Sequence, residues 1–213
     1  MRPLPPLDPP PTDGVLALRR WRPADVPQIA AACVDPEIQR WTLVPAGYEE
    51  RDARDFLARG DAGWTDGTLA SLAVVAVDDP ATVLGAVGFG RPDWQTGRAG
   101  EAGYWVVPAA RGRGVASGGL ELLTRWAFGA LGLRRLELQV IAGNVASERV
   151  AVRAGYRRVG VDTATTKQGE VAVTVFARDA ALPLRAVILP SADRPTPAAP
   201  VSAPSTARFP RRP

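Results

Sequence analysis

Apolar and polar residues alternate along Arg135–Ile141, with Leu136, Leu138 and Val140 on one side, and this period of two predicts a strand. The same reading predicts strands over Val15–Arg20, Ser71–Val77, Thr82–Phe89, Glu101–Val107, Tyr156–Val161 and Val171–Ala177. Asp78-Asp79-Pro80 supplies the turn between Ser71–Val77 and Thr82–Phe89. Elsewhere the spacing is helical. Pro23-Ala24-Asp25 turns the chain into a helix through Ala32, and a second helical stretch follows Tyr48 with Phe56 and Leu57 on its apolar side. Leu123, Trp126 and Ala130 recur at spacings of three and four, which predicts one buried face of a helix reaching about Leu131. Ala146–Ala154 is a short helix stopped by Gly155, a residue suited to the left-handed position beyond a helix end. Antiparallel strands followed by β-α-β-α-β imply a mixed α/β sheet with helices on its faces.

Composition narrows the chemistry. The 213 residues suit one ordinary domain with tails, and 46% hydrophobic content is enough for a sizeable core. No stretch approaches the length of a membrane span, and Met1–Asp13 has no apolar core of a secretory signal, so a soluble cytoplasmic protein of bacterial type is expected. The chain has no histidine and one cysteine, Cys33, which excludes a Cys/His metal site, a histidine-based triad and an internal disulfide. Cys33 sits among Ala30, Ala31 and Ala32 and reads as core. Trp41 and Trp64 read as acceptor-groove lining or, equally, as packing. Lys167 is the only lysine, so the pI of 9.9 on a modest net charge of +4 reflects cations that are nearly all high-pKa arginines. The arginines are scattered among acids, which counts against a nucleic-acid-binding module.

Proline marks the ends. Six of the 21 prolines fall in Met1–Asp13 and eight in Pro183–Pro213. Both ends are expected to be disordered, as tails over 1–13 and 183–213 around a domain over 14–182.

The segment from Val106 through Ala116 runs from a predicted strand into a predicted helix and contains Arg111-Gly112-Arg113-Gly114. Its glycines let the backbone turn tightly and approach a ligand, and the following helix presents unpaired amides and a positive dipole end, so the loop suits a phosphate. Arg111 and Arg113 are placed to add charge. A Gly/Arg-rich surface turn capping a helix is the competing reading of the loop alone. It is neither a P-loop nor a dinucleotide fingerprint, because both the spacing and the lysine are wrong.

Arg111-x-x-Gly114-x-Ala116 resembles the R/Q-x-x-G-x-G/A pyrophosphate motif of GNAT acetyltransferases. Glu101-Ala102-Gly103-Tyr104-Trp105-Val106 resembles that family's fourth strand, and Gly143-Asn144-x-x-Ser147 with Ala154-Gly155-Tyr156 resembles its next motif. Leu18-Arg19, Pro23-x-Asp25 and Asp35-Pro36-Glu37 resemble the RimJ/RimL branch, which acetylates ribosomal proteins. The resemblance implies a mostly antiparallel twisted sheet with splayed fourth and fifth strands and helices on both faces. It implies acetyl-CoA as acetyl donor, no metal, and an amine acceptor that is a protein N-terminus or a small amine. It gives no role to nucleic acid or membrane, and admits a homodimer.

The resemblance also assigns residues. Trp105, Val106 and Val107 would lie along the pantetheine arm through main-chain groups, with an amide near Val106 as oxyanion donor. Arg111, Gly112, Arg113, Gly114, Val115 and Ala116 would take the pyrophosphate, assisted by Ser117, and Asn144 would hold the cofactor or the loop. Glu101 would be the base that accepts the amine's proton, directly or through water. Many relatives protonate the thiolate with a tyrosine at the position that is Ala151 here, so Ser147 is the expected donor to the sulfur. A surface carboxylate and a serine satisfying the helix's first turn are the plain structural readings of those two residues. Non-catalytic binding of acyl-CoA as a sensor, or use of another acyl group, is the alternative function.

Overall fold

The computed structural model describes residues 3–166 and 169–181. Its strands are β1 (Leu16–Arg19), β2 (Leu69–Ala76), β3 (Val83–Asp93), β4 (Arg98–Val106), β5 (Arg135–Ile141), β6 (Arg157–Thr166) and β7 (Gly169–Asp179). Its α-helices are α1 (Val26–Cys33), α2 (Pro36–Trp41), α3 (Glu50–Asp66), α4 (Val115–Gly129) and α5 (Val145–Arg153). The strands form one sheet in the order β1-β2-β3-β4-β5-β7-β6, antiparallel throughout except for the parallel pair β4–β5. The expected mixed α/β sheet is present.

Alternation along the central strands gives the sheet two apolar faces. Leu72 on β2, Val87 on β3 and Tyr104 on β4 belong to the large core that includes Leu120, Leu123 and Trp126 of α4. Trp105, one residue on, packs with a second cluster built around Val26, Ile29, Tyr48 and Ala53 from the α1–α3 side. The Trp64 and Trp126 rings stack at 5.7 Å, so Trp64 is core.

Several expectations are corrected. Ala130 is exposed at the end of α4, because the helix stops at Gly129; fully buried Ala127, four residues after Leu123, completes that face. α2 was not expected as an element, yet Asp35 caps it by accepting from the Ile38 N–H at 3.0 Å and Pro36 stands in its first turn. β3 runs past Phe89, with Pro92 opposite Ala99 in a ladder that continues to Asp93. A proline there argues for a strand end from sequence, and only pairing with β4 reveals the extension.

The leader, expected to be disordered, lies against the domain over its described part. Leu4 is buried and donates its N–H to the Trp64 carbonyl at 2.9 Å, and the Leu18 N–H donates to the Pro11 carbonyl at 2.9 Å. Leu4 and Leu7 supply apolar side chains that the proline count obscures. The expected tail over 183–213 lies outside the described residues.

At the start of the domain Arg19 and Asp25 form a buried two-pronged ion pair, with N···O distances of 2.7 and 2.9 Å. Asp25 also accepts from the Arg22 N–H at 2.8 Å. The pair fixes the turn by which β1 feeds α1.

Candidate active site

The site begins where the two parallel strands part. β4 pairs with β5 at Arg98↔Arg135, Ala99↔Leu136 and Ala102↔Leu138, and among the described residues the pairing ends there. β4 nevertheless stays bonded to β3 as far as Gly85↔Val106, and β5 to β7 as far as Ile141↔Val173. The result is a wedge between two strands that are each held from outside.

Register decides which main-chain groups line it. The Val107 N–H donates to the Leu84 carbonyl at 3.0 Å, so Val107 and, two residues back, Trp105 direct their main-chain groups to β3. Tyr104 and Val106 therefore turn theirs toward the wedge. Of the three residues expected along the donor's arm, Val106 alone offers its peptide groups there; Tyr104 was missed. Strand alternation could have found it, given the phase of the ladder.

Above the wedge the chain turns through Arg111–Gly114 into α4. Gly112 and Gly114 have φ of 74° and 81°, and a Cβ built at either would meet nothing within 4 Å. They are glycines because the backbone is left-handed, and the space before them is open. Among the described residues, the first amide after Arg111 to find a protein acceptor is that of Gly118, which donates to the Gly114 carbonyl at 2.9 Å. The amides of residues 112–117 are thus available to an anion beside the dipole end of a 15-residue helix.

The side chains of this loop differ from expectation. Arg111 is bonded to Asp35, with Nη2···Oδ1 at 2.5 Å and Nη1···Oδ2 at 3.5 Å, and does not face the loop's ligand side as a free cation. That guanidinium holds the Asp35 carboxyl below the ordinary carboxylate range. Arg113 is exposed and borders a groove of about 400 Å³ lined also by Val15, Leu16, Leu84 and Arg153. Val115 is buried and Ser117 donates its hydroxyl to the Gly114 carbonyl at 3.1 Å, so with Ala116 they offer main-chain groups.

On the other wall, Asn144 caps α5 by accepting from the Ser147 N–H at 3.0 Å. The cap is Asn144, which leaves the Ser147 hydroxyl for another partner: the Tyr104 hydroxyl lies 2.7 Å from it. Burial pushes the Tyr104 hydroxyl up to about 12, and the bond to Ser147 opposes that only in part. Ala151 is fully buried one turn further along α5.

Glu101, Gly103 and Trp105 share the opposite face of β4. The Glu101 carboxylate accepts from Arg91 Nη2 at 2.8 Å and its side chain is 44% exposed. Gly103 is exposed, and a Cβ there would meet nothing within 4 Å. Trp105 stacks on Trp21 at 6.2 Å, and Phe56 meets Trp21 edge-on at 5.6 Å, an aromatic wall absent from the sequence reading. Trp41 donates to Glu37 at 2.9 Å and lies under Arg40. Cys33 is buried, and burial pushes its thiol up to about 11, as suits a core residue. Among the described residues no cluster of acids, cysteine or histidine could hold a metal, and no helix is long and apolar enough to cross a membrane.

The parallel pair thus parts beside a loop whose amides have no protein acceptor among the described residues, an arrangement open to an extended, anionic ligand. Residues 16–157 match the family model described as an acetyltransferase (GNAT) domain, and the chain belongs to that family. It is 25% identical over 146 residues to an uncharacterized N-acetyltransferase of Bacillus licheniformis, covering 68% of this chain and 81% of that protein. Its fold is similar to that of Mycobacterium smegmatis RimJ in complex with CoA-disulfide, at 19% identity and a TM-score of 0.68, covering 78% of this chain and 83% of that one. It is likewise similar to RimL, a ribosomal alpha-N-protein acetyltransferase, in complex with coenzyme A. There the identity is 18% and the TM-score 0.68, over 80% of this chain and 96% of that one.

Proposed function

We propose that this protein is an acetyl-CoA-dependent N-acetyltransferase that passes the acetyl group to a primary amine by direct attack. The observation that carries the reading is the wedge beyond Ala102↔Leu138, leading to the unpartnered amides of residues 112–117. The wedge admits a narrow arm that bonds to the Tyr104 and Val106 peptides, and the amides receive two phosphates without any metal. Family membership and solved relatives bound to coenzyme A support that ligand.

The residues divide the chemistry. Glu101, with the open backbone of Gly103 beside it, faces the amine and takes its proton directly or through water. Arg91 must release part of its hold on Glu101 as the acceptor arrives. The Val106 N–H stabilises the oxyanion. Ser147 donates to the departing sulfur; the Tyr104 hydroxyl, 2.7 Å from Ser147 Oγ, is placed to donate to that oxygen, the arrangement in which the serine's own proton is free for the sulfur. A protein N-terminal α-amine suits the site chemically, since it titrates at about 7.7–8.0 and needs little help to be neutral. RimL, an alpha-N-protein acetyltransferase, supports that acceptor class, and a cytoplasmic location accords with it. The Arg91–Glu101 pair favours one second reading, a non-catalytic acyl-CoA sensor.

Calorimetric titration with acetyl-CoA tests the first half: saturable binding lost in an Arg113→Glu, Gly114→Trp variant supports the loop, and no binding at millimolar ligand sinks the proposal. Release of free thiol on adding amine-bearing peptides then separates enzyme from sensor.

A further inference from the structure

We infer that Asp35 is a positioning residue for the acetyl donor: by holding Arg111 it fixes the entrance of the phosphate-binding loop and ties that loop to α2. The inference rests on the proposed reading of residues 111–117 as the pyrophosphate site.

The loop has two side-chain anchors and little between them. Gly112 and Gly114 have no side chains, and Arg113 is exposed. Val115 is buried and pins the far end. At the near end Arg111 has an extended main chain, φ −65° and ψ 153°, immediately before the left-handed Gly112. Its guanidinium reaches across 76 positions of sequence to Asp35, with contacts at 2.5 and 3.5 Å. The Asp35 side chain is only 15% exposed and that of Arg111 38%, so the pair is partly withdrawn from water. The same Asp35 Oδ1 accepts from the Ile38 N–H at 3.0 Å, so one carboxylate caps α2 and holds the loop. α2 has a single buried residue, Ile38, and is tied to α1 by Gln39 Nε2, which donates to the Cys33 carbonyl at 2.9 Å, so the Arg111 contact adds a hold from the loop side.

A loop held at both ends presents its amides without being ordered by the ligand, which preserves affinity. A guanidinium committed to a carboxylate also has less to give a phosphate, so Arg111 acts by placing amides and not by meeting the anion.

Asp35→Asn separates the two duties of this residue, because asparagine caps helices well but carries no charge for Arg111. The expected result is a roughly tenfold weaker affinity for coenzyme A and a matching rise in KM for acetyl-CoA, with kcat retained. Activity with S-acetylpantetheine, which lacks the nucleotide and pyrophosphate, should keep its kcat/KM. Arg111→Met should behave alike, and the double variant should be no worse than Arg111→Met alone. Unchanged or tighter coenzyme A binding in Asp35→Asn overturns the inference, the latter showing that Asp35 competes with phosphate for Arg111. Equal losses with both donors, or additive effects in the double variant, overturn it as well. Gly114→Val tests the underlying reading separately: if it leaves coenzyme A affinity intact, the pyrophosphate site is elsewhere. If it weakens binding while Asp35→Asn does not, only the role of Asp35 fails.

Discussion

Tyr104 shows how one hydroxyl can set the direction of another. Its oxygen lies 2.7 Å from Ser147 Oγ and 3.3 Å from the Ser147 carbonyl, so removing it frees the serine to rotate. Tyr104→Phe should lower kcat roughly tenfold with little change in KM for acetyl-CoA, and steady-state kinetics at saturating acceptor will show it. An unaltered kcat would mean that the serine is oriented by other means. Glu101→Gln keeps the shape of the side chain and a bond from Arg91, yet cannot take a proton. It should reduce kcat/KM for the amine by roughly a hundredfold near neutral pH, and the loss should shrink in alkaline buffer, where the amine is already neutral. A constant loss across pH would assign Glu101 to binding. Neither role is visible in residue identity alone: a strand glutamate and a first-turn serine are ordinary, and the motifs they stand in make them candidates.

Among the elements, β1 and α1 depend on each other through Arg19 and Asp25. Asp25 is 2% exposed and accepts three hydrogen bonds, so Asp25→Ala leaves a buried guanidinium half satisfied. The expected cost is about 3 kcal/mol, read as a shift in urea midpoint with unchanged slope. Most elements were legible because their periodicity is clear: Leu136, Leu138 and Val140 are buried as alternation requires. α2 was not, since six residues hold too little apolar pattern to register, although Asp35-Pro36 carries both cap signals. The end of α4 was misplaced by one position of its face because nothing in Phe128-Gly129-Ala130 says where packing gives out.

For the whole molecule, burial of phenols sets an alkaline limit. The Tyr104 and Tyr156 hydroxyls are pushed up from the ordinary 10 to about 12, and burial raises Tyr48 further. In the unfolded chain these groups ionise near 10. The folded chain favours their neutral forms, so that contribution is whole below pH 10 and is lost as pH climbs from there through about 12. Cys33, pushed up to about 11, acts in the same direction. Urea midpoints at about pH 9 and about pH 11 should therefore differ by much more than those at about pH 7 and pH 9. Equal midpoints across the series would show that the phenols ionise without unfolding the chain.

The sequence by itself determined the strands and most helices, the order in which they follow, the family, and the loop's need for glycine at 112 and 114. These are local properties: periodicity, left-handed backbone and helix-end chemistry are written within a few neighbouring residues. Only the tertiary structure decided that Arg111 turns to Asp35, that Tyr104 meets Ser147, that Trp21 and Phe56 back Trp105, and that the Pro-rich leader rests on Trp64. Most of those pairs join positions far apart in the chain. Which partner a charged or aromatic side chain finds depends on strand register and on the approach of helices to the sheet, and no local pattern encodes either.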